Sequence, residues 1–362
     1  MKKILWIDVL NSNLIRFVLA FILCFSVLLI FLFSIFLENN SDPTPKMEFI
    51  TGQTLKEFGQ FSTPVKVGLY IKAFPVFNVN NNSFKIDAAV WFQYNPMFVD
   101  GSLLNNFSFL DGVIEYKSDP DKKILSGMVF VKYDVIVDIK SNLRFDHYPY
   151  CSHKIFLILL NNYLTTSEAY FVADDSGFNI NPRIIISNWE IDYFSADYGY
   201  RLASFDRIDT RKTTSSPVAC FEIGISPCGV KDILILIIPM LFIMLLSLLF
   251  LLIPLNKNYY KSDMSIAILP LSTFIAFRFV INTVMPDVGY STIADNIFTG
   301  ILVLIFLIFI VNLINLIYVN KNEAEFLLND SKLIVNQNIF YIVSFFIFSI
   351  SALFFLITVL FF

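Results

Sequence analysis

Five long apolar blocks constrain this chain more than any other feature. Phe17–Leu37 runs 21 residues without a charge, Ile233–Asn256 runs 24, Asn296–Asn320 runs 25 and Leu333–Phe362 runs 30. Met264–Pro286 runs 23 residues with one charge, Arg278. About 20 apolar residues cross a bilayer as a helix, so each block is long enough to span. The expected organisation is an N-terminal anchor over 1–43, a large domain over 44–227, and four bundle helices over 228–362. The first block follows Met1-Lys2-Lys3, which leaves a signal peptide as the competing reading. A signal's apolar region is about 7–15 residues and leads into small residues. This run is longer and ends in Phe36-Leu37-Glu38-Asn39-Asn40, which favours a retained anchor.

The short loops give the orientation. Lys2, Lys3 and Arg16 precede the first block, Lys257 and Lys261 lie between the first two bundle helices, and Lys321 and Lys332 lie between the last two. The connection from Pro286 to Ala294 has no Lys or Arg. The positive-inside rule then makes the N-terminus cytoplasmic and puts 44–227 outside. The expected location is a cell membrane, crossed several times, with the large domain on its outer side and membrane lipids as partners. Charged residues make up 15% of the chain, against about 25% in soluble domains. A net charge of −4 leaves no basic excess for a nucleic-acid backbone.

The large domain reads as β-structure. In Phe84–Tyr94, the residues Phe84, Ile86, Ala88, Val90 and Phe92 alternate against Lys85, Asp87, Ala89, Trp91 and Gln93, the period of a half-buried strand. Val65–Tyr70 precedes it across an Asn-rich turn at Asn78–Asn82, and further strand-like runs are Met128–Ile139, Ile155–Leu160, Arg183–Phe194 and Val218–Ile225. Short strands separated by Asn, Asp, Gly and Pro clusters suggest an antiparallel sandwich.

Within the second bundle helix, residues 262–284, one face is more polar than the rest. Ser262, Ser265, Leu269, Ser272, Ala276, Phe279 and Thr283 follow a 3-4-3-4-3-4 spacing, while Ile266, Ile268, Ile275, Phe277 and Ile281 point elsewhere. Such a stripe either lines an aqueous lumen or lets small hydroxyl residues pack helices closely, and the spacing alone leaves both open. Asp263 could form a cation-attracting ring, with Lys261 two residues away opposing it. Pro270 is a candidate kink. Arg278 lies off the stripe, about 12 Å below Pro286 along a helix, and reads as structural, snorkelling toward Asp232 or Asp295.

Four strings then carry a resemblance over residues 60–362. They are the paired runs Val65–Tyr70 and Phe84–Tyr94 with Trp91, the loop Tyr148-Pro-Tyr-Cys-Ser-His-Lys-Ile155, Pro239 inside the first bundle helix, and Met285-Pro-Asp-Val-Gly-Tyr-Ser-Thr-Ile-Ala-Asp295. In order and spacing they resemble the pentameric ligand-gated ion channels, the Cys-loop receptor superfamily, particularly its prokaryotic branch. The resemblance implies a homopentamer whose second bundle helices surround a pore for a permeant ion, a cation among the options. It places Ser265 near the cytoplasmic constriction, Leu269 and Ser272 mid-pore, and Phe279 near the outer mouth. It also implies that Tyr148, Pro149, Tyr150 and Cys151 act on Pro286, Tyr290, Thr292 and Asp295 to couple the outer domain to the pore. An unidentified small-molecule ligand would sit between subunits, with Tyr163, Tyr198 and Tyr200 as lining candidates. Departures are Cys151 where the family has Asp, His153 where Gln is common, and Ser141 and Ile155 where animal members close the loop with cysteines. The extra anchor is also outside the family's pattern.

Little points to other chemistry. His147, Cys151 and His153 lie near Asp146, but their spacing matches no compact zinc pattern. Cys220 and Cys228, as ends of one straight strand, are too far apart to bridge. No nucleophile–base motif or phosphate loop stands out, so no enzyme and no cofactor is expected. The runner-up to a channel is a non-conducting, membrane-anchored sensor or scaffold with the same fold.

Overall fold

A computed structural model describes residues 42–58, 62–149, 151–172, 177–206, 208–209, 212–229, 231–250 and 260–321. These form two compact units: one of strands, from 42–144 and 151–229, and one of helices, which also takes in segment 145–149. The expected anchor and the expected fourth bundle helix, Leu333–Phe362, lie outside the described residues, apart from positions 42 and 43.

The β unit holds twelve strands and two short helices: β1 Glu48–Phe49, α1 Gly52–Phe58, β2 Thr63–Asn78, β3 Ser83–Tyr94, α2 Gly101–Leu104, β4 Ser108–Phe109, β5 Gly112–Lys117, β6 Asp121–Leu125, β7 Met128–Lys140, β8 His153–Leu160, β9 Ala169–Val172, β10 Phe178–Ile180, β11 Trp189–Ser204 and β12 Thr213–Pro227. One sheet runs β1-β11-β12-β8-β4. The other runs β10-β2-β3-β7-β5, with β6 beside β7 and β9 beside β2. The alternation in β3 buries Phe84, Ile86, Ala88, Val90 and Phe92, and β7 likewise buries Val131, Tyr133, Val135, Val137 and Ile139. Rings from the two sheets meet between them: Phe178 of β10 lies 5.1 Å from Phe221 of β12. The arrangement is a β-sandwich-like pair of sheets.

Two expectations need correcting. The sandwich is not wholly antiparallel, because β9 and β10 both pair with β2 in parallel. They lie along an edge of β2 that would otherwise present unpaired backbone groups. The strand expected at Arg183–Phe194 starts at Trp189 and runs on to Ser204. Asn181 explains the shift: its carbonyl accepts the Ile184 N–H, its side chain accepts the Arg183 N–H, and Asn188 has φ 67°. That is turn chemistry, which overrides the apolar run Ile184–Ile186. The Asn-rich turn behaves as expected, with Asn78 Oδ1 accepting the Asn81 N–H and Asn82 at φ 54°.

The helical unit contains α3 Lys231–Phe250, α4 Tyr260–Val284 and α5 Ile293–Lys321, which fall where the first three helices of a bundle were expected, and each packs on the other two. Pro239 and Pro270 sit inside α3 and α4. Among the described residues, one stretch, Ile293–Ile310, is long and apolar enough to cross a membrane. Leu234–Ser247 and Ile268–Val284 are shorter apolar stretches. In α4 the polar stripe and Arg278 dilute the apolar run. For α3, positions 251–256 of the expected block lie outside the described residues.

Candidate functional site

Inside the helical unit, segment 145–149 is stitched to the connection between α4 and α5. The Tyr290 hydroxyl accepts the Phe145 N–H at 2.7 Å. The Ile293 N–H donates to the Asp146 carbonyl at 2.9 Å, and the Ala294 N–H donates to the Tyr148 carbonyl at 3.2 Å. The buried Tyr148 ring returns its hydroxyl to the Val284 carbonyl at 3.3 Å. One five-residue segment thus engages the last residue of α4 and the first turn of α5. Pro149, joined to Tyr148 by a cis peptide bond, and Pro286 are both buried.

Thr292 and Asp295 fix where α5 begins. Asp295 Oδ2 accepts the Thr292 N–H and hydroxyl, each at 2.9 Å, and Thr292 Oγ1 accepts the Asp295 N–H at 3.2 Å. This reciprocal pair is a capping box that satisfies two orphan donors of the helix start. The other carboxylate oxygen, Oδ1, lies 2.6 Å from Arg278 Nη1, so Asp295, one of the two carboxylates considered for Arg278, pairs with it. The guanidinium also sits 5.2 Å above the Phe298 ring, and Phe298 stacks on Phe274 at 4.6 Å. An ion pair, a cation–π contact and a ring stack therefore tie α4 to α5.

Among the described side chains of α4, those buried are Pro270, Phe274 and Ile281. Leu269, Ser272, Ala276, Phe279 and Thr283 all face away from α3 and α5, with Leu269 57% and Phe279 73% exposed. Ser272 and Thr283 donate their hydroxyls to the carbonyls of Leu269 and Val280 on their own helix. The exposed arc is wider than the stripe, since Ile268 and Ile275 are also exposed. Lys261, Ser262, Asp263 and Ser265 lie on the first turns of α4.

The remaining candidates lie in the β unit, except Tyr150, which lies outside the described residues. Tyr200 is buried, with its hydroxyl on Glu48 and its ring edge-on to Phe58 at 5.1 Å. Tyr198 donates to the Val67 carbonyl at 3.1 Å, and Tyr163 is exposed. Pairing of Tyr200 with Pro217, whose carbonyl takes the Asn161 N–H, puts all three tyrosine-bearing segments at one end of the same sheet. Beyond them, the β11–β12 turn exposes Phe205 and Ile208 around an Asp206–Lys212 pair at 2.7 Å. Elsewhere the β unit supplies its own cation to an aromatic cluster: Lys117 Nζ lies 4.0 Å from the Phe107 ring centroid and 4.9 Å from that of Tyr133. Burial holds the Lys117 ammonium below its ordinary pKa.

Cys151 belongs to the β unit, bonded to His153 and through it to Asp42. Asp42 was not legible as a functional residue, because 111 positions separate it from His153 and no local motif marks it. Among the described residues, Cys151, Cys220 and Cys228 form no disulfide, and no cluster of His, Cys, Asp and Glu could hold a metal. No protein-family model matches the chain, and no curated protein matches it.

Proposed function

We propose that this protein is one subunit of a homopentameric ligand-gated ion channel in a bacterial inner membrane, with α4 from each subunit lining a central pore. The observation that carries the reading is the α4 face: Ser272, Ala276 and Thr283 turn away from both neighbouring helices of their own chain. Hydroxyl groups on a helix gain nothing from facing hydrocarbon, whereas a water-filled lumen tolerates them. Leu333–Phe362 then supplies the fourth helix, on the lipid side, and the β unit lies on the periplasmic face and binds a small ligand. Segment 145–149 acts on the α4–α5 connection and biases α4 between two packings. The resemblance of the Tyr148–Ile155 and Met285–Asp295 strings to the ligand-gated channel family supports this reading.

A second reading, a non-conducting sensor or scaffold, is favoured by one feature: Cys151 occupies the loop position where the family has Asp, and its side chain is engaged by His153. Current recording across planar bilayers containing the purified full chain separates the two. Channel function predicts discrete, ion-selective openings under some condition of a ligand and pH screen, with Leu269→Ala plus Ser272→Ala changing the open fraction. Silence of both proteins across that screen supports the scaffold.

A further inference from the structure

The β unit buries a chain of three reactive side chains that ion conduction does not use. Cys151 Sγ lies 3.0 Å from His153 Nε2, and His153 Nδ1 lies 3.1 Å from Asp42 Oδ2. The Asp42 carboxylate also accepts the Arg144 N–H at 2.7 Å and the Lys154 N–H at 2.8 Å. A carboxylate offers only acceptors, so His153 Nδ1 carries the ring hydrogen and Nε2 turns a lone pair toward the thiol. Nucleophile, base and orienting carboxylate are therefore in line, the arrangement that activates a thiol.

The surroundings suit a small reactant. The His153 and Asp42 side chains are 0% and 1% exposed. Cys151 is buried, 9% exposed, beside the exposed Ser152. Among the described residues, the Trp189 ring lies 5.7 Å from that of His153, and Ile225 of β12 is the strand partner of His153. Lys154 turns to the other face of β8, where it pairs with Glu222 at 2.9 Å, with Tyr193 above that pair, and the Arg144 side chain is exposed.

We propose that Cys151 is an activated thiol that hydrogen peroxide oxidises to a sulfenic acid. The thiol proton moves to His153 Nε2, and the thiolate attacks one peroxide oxygen. The S–O bond forms as the O–O bond breaks, and the leaving hydroxide takes the proton from His153 and departs as water. Sulfur is oxidised and the peroxide is reduced to water, with no further reactant. In the sequence Cys151 comes two positions after Pro149, the last residue of segment 145–149. The chemistry itself does not depend on conduction.

The full chain in detergent supplies its own controls. Cys228 is exposed, and burial pushes the Cys220 thiol up to about 12. Iodoacetamide labelling at about pH 6, read peptide by peptide by mass spectrometry, should modify Cys151 at least about tenfold faster than Cys228 and leave Cys220 unmodified. His153→Asn should bring Cys151 down to the rate of Cys228 while Cys220 stays protected, which shows that the variant is folded. A brief hydrogen peroxide pulse followed by dimedone should tag Cys151. Labelling of Cys151 no faster than Cys228, or only after denaturation, overturns the activated thiol and leaves a structural hydrogen bond. Fast labelling without a dimedone tag overturns the peroxide as its reactant.

Discussion

At the residue scale, Asp295 performs three tasks at once: it caps α5, it bonds Thr292 and it pairs with Arg278. Arg278 has one ion-pair partner and one ring contact in the same place. Asp295→Ala should therefore destabilise the protein more than Arg278→Met, by about the 1 kcal/mol that a lost cap costs. Thermal melts of the two variants in the same detergent read the difference, and equal losses would remove the cap from the account. The second residue-scale case is Asp134 on β7, which the Lys72 ammonium holds below its ordinary carboxylate value by a hydrogen bond at 2.7 Å, against the opposing effect of burial. A lowered folded value means that the stabilisation is fully present above the ordinary carboxylate range and is lost as pH falls through the lowered one. The pair is about one-third exposed, so solvent screening limits its worth to about 0.5–1 kcal/mol. Asp134→Asn should lower stability at neutral pH by that amount and flatten the acid limb of a stability–pH curve. An unchanged acid limb would show that the pair contributes nothing.

At the element scale, what was legible in the sequence followed from periodicity. The inward residues of β3 and the run of β7 are where alternation places them, because a two-residue period leaves one choice of face. β1, β4, β9 and β10 were not legible, since two to four residues carry no period and exist only through their partners. Gly68 shows how tightly those partners close: a Cβ there would stand 2.2 Å from the Trp91 ring and 2.4 Å from the Gly177 carbonyl, which accepts the Leu69 N–H. Gly68→Ala should destabilise the β unit by about 1–3 kcal/mol, with the loss of near-ultraviolet dichroism moving to lower temperature. A melt unchanged from the parent would mean that β2, Trp91 and the 177–180 segment are not packed as described. In the helical unit, the Met285–Asp295 string was legible, and of segment 145–149 only Tyr148 and Pro149, as the start of the Tyr148–Ile155 string, but not their bonds. Those run largely through backbone groups of Phe145, Asp146, Tyr148, Ile293 and Ala294, which no side-chain pattern encodes.

At the scale of the whole molecule, the proposal is that five copies place α4 around one axis. Apolar side chains such as Phe242 on α3, Leu269 and Phe279 on α4, and Phe306 on α5 are exposed in the single chain, and lipid or neighbouring subunits would cover them. The orientation drawn from Lys and Arg in the loops makes the same demand, because it requires three described helices and one more to cross the bilayer in alternation. The most direct measurement takes the α4 stripe alone. Ser272→Cys, Ala276→Cys and Thr283→Cys, each compared with Phe274→Cys and Ile281→Cys, are treated with a charged, water-soluble thiosulfonate during bilayer recording. Pore lining by α4 predicts that the three stripe variants lose current on treatment, while the two variants facing α3 and α5 keep theirs. Block that is equal at all five positions, or absent from the stripe, would contradict it.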